Sequence, residues 1–571
     1  MITLIKQLIF FVFVLTIPVT SFTQLSIKKE EPKNWYQLDK SETGYYGISL
    51  DKAYQFIKGK KSKQVVVAVI DTGIDTTHKD LKAILWHNPK EIPGNGIDDD
   101  NNGYADDVYG WNFLGGKDGK NVITDSDEGA RIYNKLKAKY GNTVPDESLV
   151  KPEDRDEVEL YRKVKAKIEN SVDPTELLFM KQILPNLKKG DSIIAKDLNK
   201  TEFNCLDLEK YFSVNINART AKAIYLSMCK ENNNNNDITN KQVLDNLEGE
   251  IRKGDAIEKA PPEYRKQIVK DDESNINDKY YGNNNVMAGE TSWEMHGTHC
   301  AGIIGAARNK NKGIDGIADN VKIMMVRVVP EGDEHDKDIA LAIRYAVDNG
   351  AQIINMSFGK EFSPQKKWVD EAVKYAENKG VLLVHAAGND AKNIDTVNNF
   401  PNPVFADGSG RANNFITVGA SSDPQLVQTT SNGEDVKDYV AVFSNYGKKE
   451  VDIFSPGVNI YSTLPGNKYG SLDGTSMACP VVAGVAALLL EYYPGLTAKQ
   501  LKYVIEKSAV PVNEKVKLPG SDEKVNLSDI SKTGGIVNAY EAVKLAATIK
   551  GERNIKEPII IKSKIKTKAK G

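Results

Sequence analysis

Runs made mostly of apolar residues alternate with amphipathic stretches along much of the chain. Runs of this kind suit strands that are buried on both faces of a parallel sheet. Helical patterns over residues 336–350 and 364–380 lie between the runs, and each ends in a glycine, which favours a helix C-cap. The alternation predicts an α/β fold, a doubly wound parallel sheet flanked by helices. The predicted strands cover residues 65–70, 321–329, 352–357, 381–387 and 415–420.

Residues 117–285 break this alternation and predict a mostly helical insertion with a modest core. The segment is rich in Lys, Glu, Asp and Asn, and it contains few apolar runs. An Asn-rich stretch, 231–237, predicts a low-complexity loop. Apolar residues at helical spacing share one face of a predicted helix: Val158, Tyr161, Val164 and Ile168.

The N-terminal 23 residues have the pattern of a secretory signal peptide. A lysine precedes an apolar run, Pro18 interrupts the run, and small residues precede a predicted cleavage before Gln24. The run is too short for a transmembrane helix. We therefore expect an exported protein, extracellular or periplasmic, without a membrane anchor.

The remaining chain divides into an N-terminal extension, an α/β domain interrupted by the insertion, and a basic C-terminal tail. The predicted boundaries are 24–63, 64–116 together with 286–547, and 548–571. The net charge of −2 gives no general attraction to nucleic acid, and we expect a monomer.

Four cysteines among 571 residues exclude a disulfide scaffold. Cys205 and Cys229 lie in one segment, and the sequence leaves open whether they pair. Cys300 and Cys479 are expected to be free, buried thiols.

Four short stretches carry residues suited to chemistry. Asp71 ends an apolar run, His296 opens a helix of small residues, Asn389 follows a strand, and Ser476 begins a long apolar helix. Each has an ordinary structural alternative: a cap, a packed histidine or a turn residue. Together they supply a nucleophile, a base, an orienting carboxylate and an oxyanion donor, the set that acyl transfer requires.

These stretches resemble the motifs of the subtilisin-like serine proteases, the subtilases. The matching residues are D-T-G-I-D at 71–75, H-G-T-H-x-A-G at 296–302, A-A-G-N at 386–389 and G-T-S-M-A-x-P at 474–480. The resemblance implies a triad of Asp71, His296 and Ser476, with Asn389 in the oxyanion hole. It implies an endopeptidase that hydrolyses protein or peptide substrates through an acyl-enzyme.

Two stretches resemble the strands that line the family's pocket for the side chain before the scissile bond. Their small residues leave room for a sizeable apolar side chain. The residues that this resemblance assigns to substrate binding are Ser357, Phe358, Gly359, Ala386, Ala387 and Gly388.

An acidic, glycine-containing stretch at 94–113 predicts a structural calcium site. The alternative is a solvated acidic turn. The closing glutamate of an EF-hand is absent, so EF-hand affinity is not implied. The predicted ligands are Asp98, Asp100, Asn102, Tyr104, Asp106 and Asp107.

Other functions fit the sequence less well. A catalytically silent binding protein of the same fold remains the main alternative, although all four motif residues are present. An α/β-hydrolase esterase would need G-x-S-x-G and a different triad order. A zinc site at His296 and His299 lacks the HExxH pattern.

Two further predictions concern particular residues. Pro480 has no N–H to bond the Ser476 carbonyl, which predicts a loosened first turn of the helix. His296 follows Asp71 by 225 positions (296 − 71), so the insertion should emerge beside the cleft and form a lid or a substrate-selecting wall.

Overall fold

The computed structural model describes residues 31–169, 173–231, 238–289, 293–308, 313–430 and 433–553. The predicted signal peptide lies outside these residues. So do 232–237 of the Asn-rich stretch and 554–571 of the predicted tail.

Nine of the strands in the described residues form one sheet in the order β12-β15-β9-β6-β5-β4-β1-β3-β2. All neighbours in it are parallel except β12 and β15. Each of the five predicted strands is present, which confirms the predicted α/β sheet. The strands are β1 (Val65–Asp71), β2 (Gly110–Asn112), β3 (Val321–Arg327), β4 (Ile353–Met356), β5 (Leu382–Ala386), β6 (Phe415–Ser421), β7 (Gln428–Thr429), β8 (Asp435–Val436), β9 (Ile453–Pro456), β10 (Ile460–Leu464), β11 (Lys468–Leu472), β12 (Val510–Pro511), β13 (Val516–Lys517), β14 (Lys524–Val525) and β15 (Gly535–Ile536).

Helices cover both faces of this sheet, and a further group forms the insertion. The helices are α1 (Lys40–Thr43), α2 (Leu50–Ile57), α3 (Glu128–Tyr140), α4 (Arg155–Glu169), α5 (Pro174–Leu198), α6 (Cys205–Glu209), α7 (Ile216–Glu231), α8 (Asn240–Asp255), α9 (Tyr264–Ile268), α10 (Met295–Gly305), α11 (Asp336–Asp348), α12 (Lys366–Asn378), α13 (Thr475–Tyr492), α14 (Ala498–Lys507), α15 (Leu527–Ile530) and α16 (Ala539–Ala546).

Both faces of the sheet are buried. In β1, Val67 and Val69 point into the core beneath α10 and α13, whereas Ala68 and Ile70 point into the core beneath α11 and α12. This alternation is the period of two that a strand imposes. It explains why the central strands appear in the sequence as nearly continuous apolar runs.

Helix α13 is the central helix of one of these cores. Its length and apolar composition would suffice to cross a membrane, but 89% of it is buried inside the protein. A helix that is apolar on all sides is expected at such a position.

The described part of the N-terminal extension packs into the same core. Trp35 and Tyr36 are fully buried, and Trp35 Nε1 donates to the Val458 carbonyl oxygen at 3.1 Å. The Ala539 N–H at the start of α16 donates to Ile48 at 2.8 Å. Residues 31–57 therefore form part of the α/β unit.

The insertion is mostly helical, as its composition predicts. Helices α5, α7 and α8 enclose one apolar cluster, and α3 and α4 enclose a second. The four apolar residues predicted to share a face of α4 are all buried. A disulfide joins Cys205 in α6 to Cys229 in α7, which settles the pairing that the sequence left open.

Both ends of the predicted insertion pack against the sheet. Val122, Val269 and Tyr281 belong to the apolar cluster beneath α11 and α12. Buried ion pairs add to this contact: Arg265 with Asp338 of α11, and Glu128 of α3 with Lys360 at 2.8 Å. The insertion is thereby fixed to the elements that surround the cleft.

Candidate active site

Asp71 and His296 meet at the carboxyl edge of the sheet. Asp71 is the last residue of β1 and is 1% exposed, and His296 is the second residue of α10. The distance between His296 Nδ1 and Asp71 Oδ1 is 2.7 Å. Gly297 permits this approach, because a Cβ there would lie 2.2 Å from the Gly73 carbonyl oxygen.

This contact determines the tautomer and the basicity of the imidazole. Burial lowers the pKa of His296, but attraction to Asp71 and their hydrogen bond together raise it above the ordinary value of 6.5. With Nδ1 bound to a carboxylate, Nδ1 carries the proton and Nε2 is the free base. Within the described residues, Nε2 has no hydrogen-bond partner.

Ser476 is the second residue of α13, and Gly474 precedes the helix with φ at +152°. The Ser476 hydroxyl donates to the Ser357 carbonyl oxygen at 3.0 Å. Cys300 lies between Ser476 and the pair formed by Asp71 and His296. Its Sγ lies 3.5 Å from the Ser476 carbonyl oxygen, and ligand atoms of Cys300, Asp71 and His296 lie within 4.8 Å of one another. No hydrogen bond joins Ser476 to His296 among the described residues.

The prediction of a loosened first turn in α13 is wrong. The N–H groups of Met477 and Ala478 both donate to Gly474, and the helix continues through Pro480. Because Pro480 cannot donate to the Ser476 carbonyl, that oxygen accepts from Ser357 Oγ at 2.9 Å instead. Ser357 thus contacts Ser476 twice, through its hydroxyl and through its carbonyl.

Two hydrogen bonds from Thr475 to the amide oxygen of Asn389 hold this side chain in place. Asn389 Oδ1 accepts from the Thr475 N–H and from Thr475 Oγ1, each at 2.9 Å. The amide nitrogen is left for another partner, and a Cβ placed on Gly474 would lie 3.5 Å from it. Asn389 is exposed, so a hydrogen-bond donor faces the cleft beside the start of α13.

The residues predicted to bind substrate follow two neighbouring strands, β4 and β5. Asn399 binds the second stretch, because its Nδ2 donates to the carbonyls of Ala386 and Ala387 at 3.1 and 2.9 Å. A Cβ on Gly359 would lie 2.5 Å from Asn399 Oδ1, so a larger residue there would displace the Asn399 side chain. Phe358 is 9% exposed, and Gly388 has φ at +98°.

Three further polar groups near the site, His299, Cys300 and Cys479, are buried and neutral. His299 Nε2 lies 3.2 Å from the Gly470 carbonyl, and burial lowers the pKa of His299 to about 3. Cys300 and Cys479 are free and buried, as predicted. Burial raises the pKa of Cys479 to about 12 and that of Cys300 well above its ordinary value, so both remain thiols.

The acidic loop lies between β1 and β2. Carboxylate oxygens of Glu91, Asp98 and Asp100 lie within 4.8 Å of one another. Asp106 accepts instead from the N–H groups of Gly94, Asn95 and Gly96. The loop thus brings two of the predicted calcium ligands together.

Three other predicted ligands in this loop bond to protein groups. Asp107 is fully buried and accepts from Asn88 at 2.6 Å and from the Tyr345 hydroxyl at 2.6 Å. Asn102 Nδ2 donates to Asp107 at 3.1 Å, and the Tyr104 hydroxyl donates to the Lys279 carbonyl at 3.3 Å.

Sequence reasoning missed two residues that the structure places at these sites, Glu91 and Asn399, and one role of Ser357. The motifs predict Ser357 as a substrate-binding residue only, and its contact with the Ser476 carbonyl follows from Pro480. Glu91 precedes Asp98 by seven positions, outside the spacing of a calcium loop, and Asn399 lies in a stretch that no motif marks.

Several known proteins are similar in sequence to this chain. A thermophilic serine proteinase from Bacillus sp. (strain AK1) is 39% identical over 249 residues, 43% of this chain and 52% of that protein. The match thus spans about half of that relative. Thermitase from Thermoactinomyces vulgaris is 36% identical over 249 residues, 43% of this chain and 74% of that protein.

A solved structure, titled as proteases from Pseudoalteromonas arctica, covers 90% of this chain and 97% of that chain at 20% identity. Its TM-score is 0.43, too low for a comparison of the folds.

The sequence profile described as "Subtilase family" matches residues 62–531, which is most of the chain. The chain therefore belongs to the subtilase family.

Proposed function

We propose that this protein is an exported serine endopeptidase that cleaves proteins or peptides through an acyl-enzyme. The observation that carries the proposal is the 2.7 Å contact between His296 Nδ1 and Asp71, beside a serine at a helix N-terminus. The relatives named as serine proteinases support the same activity. Export rests on the signal-peptide pattern of residues 1–23.

In the first step, His296 Nε2 takes the proton of the Ser476 hydroxyl as Oγ attacks the scissile carbonyl. The hydroxyl must therefore turn away from the Ser357 carbonyl toward the imidazole when substrate binds. Asp71 keeps the proton on Nδ1 and stabilises the imidazolium that forms. His296 then gives the proton to the leaving amine, and water repeats the sequence to release the acyl group.

The negative charge on the attacked oxygen needs donors that are already in place. Asn389 Nδ2 and the backbone N–H of Ser476 would supply them, and the positive end of the α13 dipole adds to the attraction. Thr475 fixes the orientation of the Asn389 amide through two hydrogen bonds. Loss of one such donor typically costs about 3–4 kcal/mol of transition-state stabilisation.

Labelling with a fluorophosphonate tests the nucleophile directly. We expect the purified wild-type protein to be labelled and Ser476→Ala not to be labelled, because only an activated serine attacks the phosphorus. Ser528→Ala, which removes an exposed serine in α15, should be labelled like the wild type. A folded wild-type protein that is not labelled would favour the alternative, a catalytically silent binding protein.

The double contact of Ser357 predicts an effect on Ser476. Ser357→Ala leaves the Ser476 carbonyl without its 2.9 Å donor, so we expect kcat/KM for a peptide substrate to fall roughly 10- to 100-fold. Ser357→Thr keeps the hydroxyl and should restore much of the activity.

A double-mutant cycle with Pro480→Ala isolates this contact, since alanine returns an N–H to the Ser476 carbonyl. The loss caused by Ser357→Ala should be smaller in the Pro480→Ala background. Equal losses in both backgrounds would contradict the role assigned to the Ser357 hydroxyl.

We further propose that the acidic loop binds a structural calcium ion. This proposal rests on three carboxylates whose oxygens lie within 4.8 Å of one another, because such a set suits a calcium ion and the exposed Lys90, 3.5 Å from Asp100, is the cation that pairs with it among the described residues. Glu91, Asp98 and Asp100 would hold the ion, and it would fix the loop between β1 and β2. The other predicted ligands stay predictions from the sequence: Asn102, Tyr104, Asp106 and Asp107.

Thermal unfolding with and without a chelator tests this site. We expect the chelator to lower the Tm of the wild type by roughly 5 °C, since the ion binds only the folded loop. The Asp98→Asn/Asp100→Asn variant should lose this response. Asp99→Asn alters a neighbouring carboxylate that bonds Ile92 and Asn95 instead, and it should keep the response. An unchanged wild-type Tm would contradict the proposed ion.

A further inference from the structure

Asn355 is a fully buried amide that lies between strand β4 and helix α13. It is the third residue of β4, and its side chain contacts Ser357 on the same strand and Cys479 in α13. Asn355 Nδ2 donates to Ser357 Oγ at 3.0 Å. The Cys479 thiol donates to Asn355 Oδ1 at 3.2 Å. Both ends of the amide are thus bonded inside the protein.

These two contacts continue the hydrogen bond that holds the nucleophile. Ser357 Oγ accepts from Asn355 and donates its own proton to the Ser476 carbonyl oxygen at 2.9 Å. A chain of three hydrogen bonds therefore leaves α13 at Cys479, crosses β4 through the two polar side chains, and returns to α13 at Ser476. The two residues of α13 at its ends are three positions apart.

The chain has a single direction, because both of its ends are fixed. The Ser476 carbonyl can only accept, and burial raises the pKa of Cys479 to about 12, so the thiol keeps the proton that it donates. With the thiol bonded to Oδ1, the Asn355 amide turns Nδ2 toward Ser357. A reversed amide would place Oδ1 beside Ser357, where it would compete with the Ser476 carbonyl for the one hydroxyl proton.

The position of this proton matters for the nucleophile. Pro480 leaves the Ser476 carbonyl without its helical donor, and the Ser357 hydroxyl takes that place. The Cys300 thiol lies farther from the same oxygen, at 3.5 Å, and a thiol is a weak donor. The direction of the carbonyl fixes the backbone torsion next to the Ser476 side chain. Anything that turns the Ser357 proton away therefore loosens the residue that attacks the substrate.

We propose that Asn355 is a positioning residue for the nucleophile and that Cys479 sets the orientation of its amide. Both side chains are fully buried, so neither touches the substrate. They act by keeping the Ser357 proton on the Ser476 carbonyl. This inference rests on the proposed function and extends the residues that it needs into the buried part of β4.

Asn355→Asp tests the direction of the chain with almost no change of shape. An ionised carboxylate only accepts, so it takes the Ser357 proton away from the Ser476 carbonyl. At alkaline pH we expect kcat/KM for a peptide substrate to fall roughly 10- to 100-fold. Protonation of the new carboxyl returns a donor to Ser357, so the ratio of variant to wild-type kcat/KM should rise as the pH falls. Taking the ratio at each pH removes the protonation of His296, which both proteins share.

Two comparisons separate the hydrogen bond from the charge itself. Ser357→Ala has no hydroxyl to turn, so adding Asn355→Asp to it should cost only about twofold more. An equal loss with and without the Ser357 hydroxyl would contradict the inference. Asn414→Asp places a carboxylate at another buried amide, just before β6, and should keep the wild-type pH profile. Thermal unfolding shows whether each variant is folded.

Cys479 gives a second test that introduces no charge. Cys479→Ala removes the donor to Asn355 and should lower kcat/KM roughly 3- to 10-fold. Cys479→Ser keeps a donor and should restore part of this loss. Equal activity of the wild type and both variants would overturn the inference, also in the case that Asn355→Asp does not fold.

Labelling of the wild type with a fluorophosphonate separates this inference from the proposed function. A wild type that is labelled and cleaves peptides, together with an Asn355→Asp to wild-type ratio that does not change with pH, would overturn the inference alone. A folded wild type that is neither labelled nor able to cleave peptides would overturn the proposed function and the inference with it.

Discussion

The hydrogen bond between His296 and Asp71 is the contact on which the rest of the candidate site depends. It exists because β1 ends in a buried aspartate at the carboxyl edge of a parallel sheet, where neighbouring strands also deliver their following residues. Ser357 follows β4 and Asn389 follows β5, the next strands along. Helices α10 and α13 then present His296 and Ser476 from their first turns at the same edge.

A second constraint comes from Pro480. A proline four residues after the serine removes the donor that a helix would normally offer to the Ser476 carbonyl. The structure replaces this donor with the Ser357 hydroxyl and keeps the first turn closed. The position of the nucleophile is thereby tied to the strand that is expected to bind the substrate. A shift of that strand would move Ser476 as well.

The insertion is fixed by contacts that differ from those of the sheet. Buried charges such as Arg265 with Asp338 join it to α11, and a buried pair is costly unless both partners stay in place. Loss of Arg265 would leave Asp338 without its cation, whereas loss of Asp338 would leave Arg265 with Asp271 as its remaining partner. The insertion is therefore held in a defined position beside the cleft, as a selecting wall requires.

The sequence predicted the sheet well, because buried parallel strands give apolar runs. The four motif residues could be singled out because each lies in a short local pattern. The sequence predicted less about contacts between distant segments. Nothing near Ser357 in the sequence indicates the Ser476 carbonyl, which lies 119 positions later. Glu91 joins Asp98 and Asp100 only because the loop folds back on itself. The contact of Glu202 in the insertion with Lys468 of β11 likewise depends on how distant segments pack, which residue spacing does not encode.

Titration of His296 by NMR tests the central claim most directly. The ring protons would be followed in Ser476→Ala, with His296→Gln used to assign the signal among the six histidines. The account predicts a pKa above 6.5, because the attraction of Asp71 outweighs burial. Asp71→Asn in the same background should bring the pKa below 6.5, since burial alone then acts on the ring. A pKa below 6.5 while Asp71 is present would contradict the account.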